Sequence, residues 1–302
     1  MAIGWKAWGT TVRLDVTDPR AMPSALRIVR SCVRGAERAA DVDRRRAEVH
    51  RLVRAGGRPV RVSATLAALV AVALDVAERT DGAVDPTVGG ATVPLRAALR
   101  RAAASGGLDG GRATGGGNDA LVPACAAYPW VAPRPAAGWR AVDWSERRLA
   151  VPPPAALDLS ATAKARTARL AATRVAERLG VGAMVEIGGD VATVGPRPGH
   201  GWVVSPEHAG GTVLELAAGE AVAACRAAQV VDPLTGRLVA TGWEAVVVTA
   251  DDVVTAKAAA ISTLVLGEPA LGRFAGARGR TLLLPAAGAT GRHARSRREA
   301  HA

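Results

Sequence analysis

The chain is poor in aromatic residues, in lysine and in cysteine, and each shortage closes a route. Aromatics make up 3% of the 302 residues, with one Tyr and one Phe beside seven Trp. A nucleic-acid surface built from aromatic rings interleaved with basic groups has little to draw on here. The three cysteines, Cys32, Cys125 and Cys225, are far apart and lie in no Cys-x-x-Cys or Cys/His cluster. Their odd number and spacing argue against a disulfide framework and against a structural zinc site. No apolar run approaches the roughly 18 residues that suggest a membrane helix. Met1 to Lys6 hold no apolar stretch of signal-peptide kind. The expectation is a soluble, cytoplasmic protein with no transmembrane segment.

What is present is a globular composition, 49% hydrophobic and 22% charged, with a net charge of +12. Only Lys6, Lys164 and Lys257 among the 39 basic residues are lysines; the rest are arginine. Four of those arginines, Arg292, Arg295, Arg297 and Arg298, sit in the last twelve residues. That basic tail, 291–302, lacks hydrophobic periodicity and reads as disordered. Arginine-rich composition and a loose tail account for much of the charge, so no nucleic-acid partner is expected.

Thr10 to Val16 alternates polar and apolar residues, the period of a half-buried strand. Helices are expected over about 19–40, from a Ser63 cap to about 79, from a Ser160 cap to about 179, and over about 254–266. Strands are expected at 60–62, 183–187, 191–194, 201–205, 213–216 and 245–249, with a hairpin at 141–151. The glycine-rich stretch 105–118 reads as a mobile surface loop. Helices and strands intermix without a regular βαβ rhythm. The expected fold is therefore α+β, a single layered domain of mixed sheet and helices over 1–290 followed by the tail.

Three clusters join turn formers to charged groups. They are Thr80-Asp81-Gly82-Ala83-Val84-Asp85-Pro86-Thr87-Val88-Gly89; Asp158-Leu159-Ser160-Ala161-Thr162-Ala163-Lys164 with Gly188-Gly189-Asp190; and Asp232-Pro233-Leu234-Thr235-Gly236. In the second, Ser160 to Ala163 would open a helix, and their free N–H groups and the helix dipole would favour a phosphate. Lys164, one turn in, could add a point charge. A merely structural capped helix remains open beside that reading. The Asp-Pro-Leu-Thr-Gly run is first of all a good turn.

Taken together and in order, these motifs resemble the ApbE family of flavin transferases. Gly9-Thr10-Thr11 is similar to the family's opening Met-Gly-Thr-Thr, with Trp8 in the methionine place. The resemblance covers about residues 7 to 285. It implies transfer of FMN from FAD to a Thr or Ser of a target flavoprotein, with release of AMP and with Mg²⁺ as the metal. It implies FAD contacts from Trp8, Ala83, Val84, Asp85, Asp158, Lys164, Gly188, Gly189, Asp190 and Val230. Lys164, Asp232 and Lys257 fall at the places expected to matter for catalysis, and the main-chain carbonyl of Ala161 at that of a metal ligand.

The match is incomplete on one side. The family's late helix carries Ala-Asp-x-x-x-Thr, whereas this chain has Lys257 in the Asp place and Ile261 in the Thr place. Gln229 stands where the family usually has a His before its Asp-Pro turn. An ammonium has no lone pair for Mg²⁺ and Ile has no oxygen, so the usual metal site is not expected to form. Two expectations follow: a transferase in which Lys257 replaces the metal, or an FAD-binding relative without transfer and with a binding or regulatory role.

Overall fold

The computed structural model describes residues 2–93, 138–145, 147–199, 201–206, 209–274 and 279–286. The glycine-rich stretch 105–118, Cys125 and the tail lie outside the described residues. The chain opens with β1 (Ile3–Ala7) and β2 (Thr10–Val16), paired antiparallel through the turn Trp8-Gly9. Both turn residues have positive φ, 51° and 67°. Such turns match the twist of the flanking strands, and a Trp in this conformation is uncommon.

A single 3₁₀ turn, Pro19–Ala21, leads into α1 (Met22–Ala40), so the helix expected from about 19 begins as a tighter turn. Its buried residues, Met22, Ala25, Val29, Val33 and Ala36, recur every three or four positions, which turns one face inward. After α2 (His50–Ala55) and β3 (Val60–Arg61) comes α3 (Ala64–Arg79), capped by Ser63 as expected. The Ser63 hydroxyl accepts from the Leu66 N–H at 3.1 Å. β4 (Asp143–Ser145) and β5 (Arg148–Ala150) form the expected hairpin and add to β3 as a three-stranded sheet.

Beyond it run α4 (Ser160–Leu179), β6 (Ala183–Ile187), β7 (Asp190–Val194), β8 (Trp202–Val204), β9 (Leu214–Leu216), β10 (Ala221–Arg226), β11 (Trp243–Ala250), α5 (Val253–Leu266) and β12 (Thr281–Pro285). Among the described residues, seven strands make the main sheet in the order β1-β2-β6-β7-β10-β11-β12, every neighbouring pair antiparallel. α1, α4 and α5 cover one face. On β10 the two-residue period decides the partners: Ala221, Ala223 and Cys225 face the helices, while Val222 and Ala224 join a smaller core with β8 and β9. The architecture is α+β. Its core is mostly Ala and Val, which is how a chain so short of aromatics still fills its interior.

Three readings need correction. The expected strands leave out 221–226, yet Ala221–Arg226 is a central strand; a short continuous apolar run carries no periodicity to announce it. The edge strands β1 and β12 were likewise not anticipated. Ser160 is the first residue of α4 rather than its cap. The Asp158 carboxylate, two residues earlier, accepts the Ser160 N–H at 2.9 Å instead.

Candidate functional site

The Thr80–Gly89 segment leaves α3 as a sequence of side-chain-to-backbone bonds. Thr80 Oγ1 donates to the Val76 carbonyl at 2.8 Å and accepts the Val84 N–H at 3.1 Å. Asp85 Oδ1 accepts from the Thr87 N–H at 2.7 Å and from Thr87 Oγ1 at 2.6 Å, and its Oδ2 accepts the Trp139 N–H at 3.1 Å. Each bond pairs a loop group that would otherwise be left unsatisfied away from water, which holds the segment in place. Gly89 is required where it stands: a Cβ there would meet the Ala156 carbonyl oxygen at 2.5 Å. That close approach carries the Val88–Ala156 bridge, and the Asp158 N–H donates to the Pro86 carbonyl at 2.8 Å. The first two clusters are thus laced together, from Pro86 to Asp158 across 72 residues of sequence.

The laced segment forms one wall of a cavity of about 580 Å³, within the range of small-molecule and cofactor sites. Ala83, Val84, Asp85 and Asp158 line this wall. Ser160, Ala161 and Lys164 line the start of α4, Trp8 and Gly188 the ends of the β1–β2 and β6–β7 hairpins, and Val230 and Pro233 the segment after β10. The structure therefore brings most of the expected site residues together. Gly189 and Asp190 stand behind the lining, at the start of β7. Asp232 does not face the cavity either: Oδ1 accepts the Leu234 N–H and Oδ2 the Thr235 hydroxyl, both at 2.9 Å. Its carboxylate is engaged in building its own turn.

The phosphate reading of α4 is also sharpened. Of the four amides expected to face a ligand, Ser160 N–H goes to Asp158, and Thr162 and Ala163 N–H both go to the Leu159 carbonyl. The helix dipole and Lys164 remain as attractions for an anion.

A second wall is α5 with the end of β10. Lys257 and Ile261, one turn apart on α5, both line the cavity together with Cys225, Arg226 and Gln229. Lys257 Nζ lies 2.8 Å from Asp190 Oδ1, with the lysine side chain 12% exposed and the aspartate 1%. Nζ also donates to the Ala224 carbonyl at 3.5 Å. Burial alone, the largest single influence, would lower the Lys257 amine, but the Asp190 carboxylate and the neighbouring Cys225 together outweigh it and hold the ammonium above the ordinary lysine value. Burial holds the Asp190 carboxyl above its ordinary value, and Lys257, paired with it at 2.8 Å, pulls it only part of the way back. Burial also pushes the Cys225 thiol up, away from reactive thiolate, in keeping with a small apolar filler.

Sequence reasoning missed Asp41 and Asp43, which line the cavity just beyond α1. Burial pushes the half-buried Asp41 carboxyl above its ordinary value, countered by the Asp43 N–H. The signal available was two acids alternating with Val42 directly after a helix end. Among the described residues no group of three or more His, Cys, Asp or Glu is clustered to hold a metal. None of the described helices is long and apolar enough to cross a membrane.

A family model described as the ApbE family matches residues 8–282. Solved structures with the same fold include the flavin transferase ApbE from Vibrio cholerae, at 20% identity and a TM-score of 0.67, covering 94% of this chain and 92% of that one. The apo flavinyl transferase ApbE from Pseudomonas stutzeri is 19% identical with a TM-score of 0.68 and the same coverage. An ApbE protein from Thermotoga maritima is 22% identical with a TM-score of 0.69, covering 94% and 93%. No curated protein sequence matches the chain.

Proposed function

The chain belongs to the ApbE family, and from that membership we propose that it is an FAD:protein FMN transferase-like protein. FAD is the substrate, and the acceptor is a Thr or Ser hydroxyl on a partner flavoprotein. The observation that supports this reading is the convergence of three separated motifs on one cavity of about 580 Å³. Ala83, Val84 and Asp85 offer a rigid wall, and Asp158 secures it to the start of α4. Lys164, with the N-terminus of α4 behind it, attracts the pyrophosphate. The Trp8 ring offers a flat surface for the isoalloxazine. In the transfer, the acceptor oxygen attacks the FMN phosphorus, the bond to the AMP oxygen breaks, AMP leaves and the hydroxyl proton passes to solvent. Such chemistry depends mainly on positioning and charge compensation.

One observation favours a second reading, an FAD-binding relative with no transfer and a regulatory role. The wall made by α5 and the end of β10 carries Lys257, Ile261 and Gln229 where the resemblance places two metal ligands and a His. Incubation with FAD and a flavoprotein acceptor, followed by in-gel flavin fluorescence under denaturing conditions, separates the two. Covalent flavin on the acceptor supports the transferase. Flavin that co-purifies but never becomes covalent supports the relative. Absence of any FAD binding removes both. A cytoplasmic setting fits the free thiols of Cys32 and Cys225.

A further inference from the structure

Mg²⁺ demands near-octahedral oxygen ligation. Of the ligands the resemblance implies, this chain keeps only the Ala161 carbonyl on the cavity wall. Ile261 contributes no oxygen. Asp190, the carboxylate beside Lys257, already holds that ammonium at 2.8 Å. The residues present do not fit the metal.

The place has been rebuilt rather than emptied. A lysine on a helix as buried as α5 is costly unless paired, and Lys257 is paired twice, to Asp190 and to the Ala224 carbonyl. Those partners sit on adjacent strands, β7 and β10, so the ammonium is fixed by the sheet and not left to a mobile side chain. It nevertheless keeps 12% exposure and lines the cavity. Lys164 lines the same cavity from α4, and both lysines act on the Asp190 carboxylate. A divalent cation entering here would meet the ammonium directly, and expelling the ammonium would leave Asp190 buried without its partner.

We propose that this protein holds its dinucleotide without a divalent cation, with the Lys257 ammonium, anchored by Asp190, standing permanently in the position of the ion and facing the phosphates. The proposal rests on the FAD reading above and names how the same site neutralises its ligand. Calorimetric titration with FAD in magnesium buffer and in EDTA tests it. The two dissociation constants are expected to agree within about twofold, and a weakening beyond about tenfold in EDTA overturns the proposal. The Lys257→Met/Asp190→Asn double variant removes both charges at little change in volume. It is expected to weaken FAD about tenfold in either buffer, whereas unchanged affinity would reduce the pair to a structural bridge and overturn its role toward the ligand. If FAD fails to bind in both buffers, the FAD reading falls, and Mn²⁺ titration of the nucleotide-free protein followed by electron paramagnetic resonance still decides the metal question. No stoichiometric Mn²⁺ supports the inference; one bound Mn²⁺ that disappears in Asp190→Asn overturns it.

Discussion

The two walls of the cavity are built on opposite plans. The Thr80–Gly89 wall is a loop whose side chains satisfy its own backbone: Thr80 grips Val84, and Asp85 grips Thr87 and Trp139. The α5 wall is a buried helix whose one charged group facing the cavity is held by a carboxylate from the sheet. The first is one of the motifs that carry the resemblance to the ApbE family, and the second departs from that resemblance at Lys257 and Ile261, the two α5 positions expected to touch a metal. A binding surface made by backbone shape persists as long as the turn residues persist. A metal site depends on particular oxygen atoms, and two side-chain changes are enough to abolish it.

The largest effect that would break this comparison is on the α5 wall. Lys257→Met leaves Asp190 buried and unpaired and should cost about 3–5 kcal/mol in urea denaturation. Adding Asp190→Asn should recover most of that loss, because replacing both charges is far less costly than orphaning one. If the single variant unfolds at the wild-type midpoint, the ion pair does not hold this wall.

Next comes a contrast between two Asp-Pro turns of the same local design. In both, the carboxylate accepts the N–H two residues on and a Thr hydroxyl. Asp85 is 7% exposed, whereas the bonds of Asp232 are open to solvent. Asp85→Ala should therefore cost about 2–3 kcal/mol, and Asp232→Ala less than about 1 kcal/mol, since water replaces lost bonds only at the exposed turn. Equal costs would show that burial does not distinguish the two. The smallest effect concerns Cys225: its buried, protonated thiol should react with iodoacetamide far more slowly than a free thiol at pH 8, and at the free-thiol rate once the protein is unfolded. Rapid labelling of the folded protein would show the α5 wall to be open.

Much of the Thr80–Gly89 wall was legible in the sequence because its signals are local. Thr80-Asp81-Gly82 stops a helix and Asp85-Pro86 makes a turn whatever surrounds them, and the structure uses them so. The replacements on α5 were equally legible, since Lys257 and Ile261 stand in the sequence itself where the resemblance expects oxygen donors. The partner of Lys257 was not. Asp190 lies 67 residues earlier, and only the β7–β10 pairing and the packing of α5 on the sheet bring the two together. The position of Asp232 misled for the reverse reason: its place in a motif suggested chemistry, while its hydrogen bonds are those of an ordinary turn. β10 escaped notice because Ala221 to Cys225 is buried on both faces and shows no alternation.

A crystal structure of the protein grown with FAD and Mg²⁺ tests the account most directly. The account predicts the dinucleotide between the two walls, its pyrophosphate toward Lys164 and Lys257, with the Lys257–Asp190 pair intact and no ion beside the Ala161 carbonyl. A Mg²⁺ at about 2.1 Å from that carbonyl, with Lys257 swung away from Asp190, would contradict it.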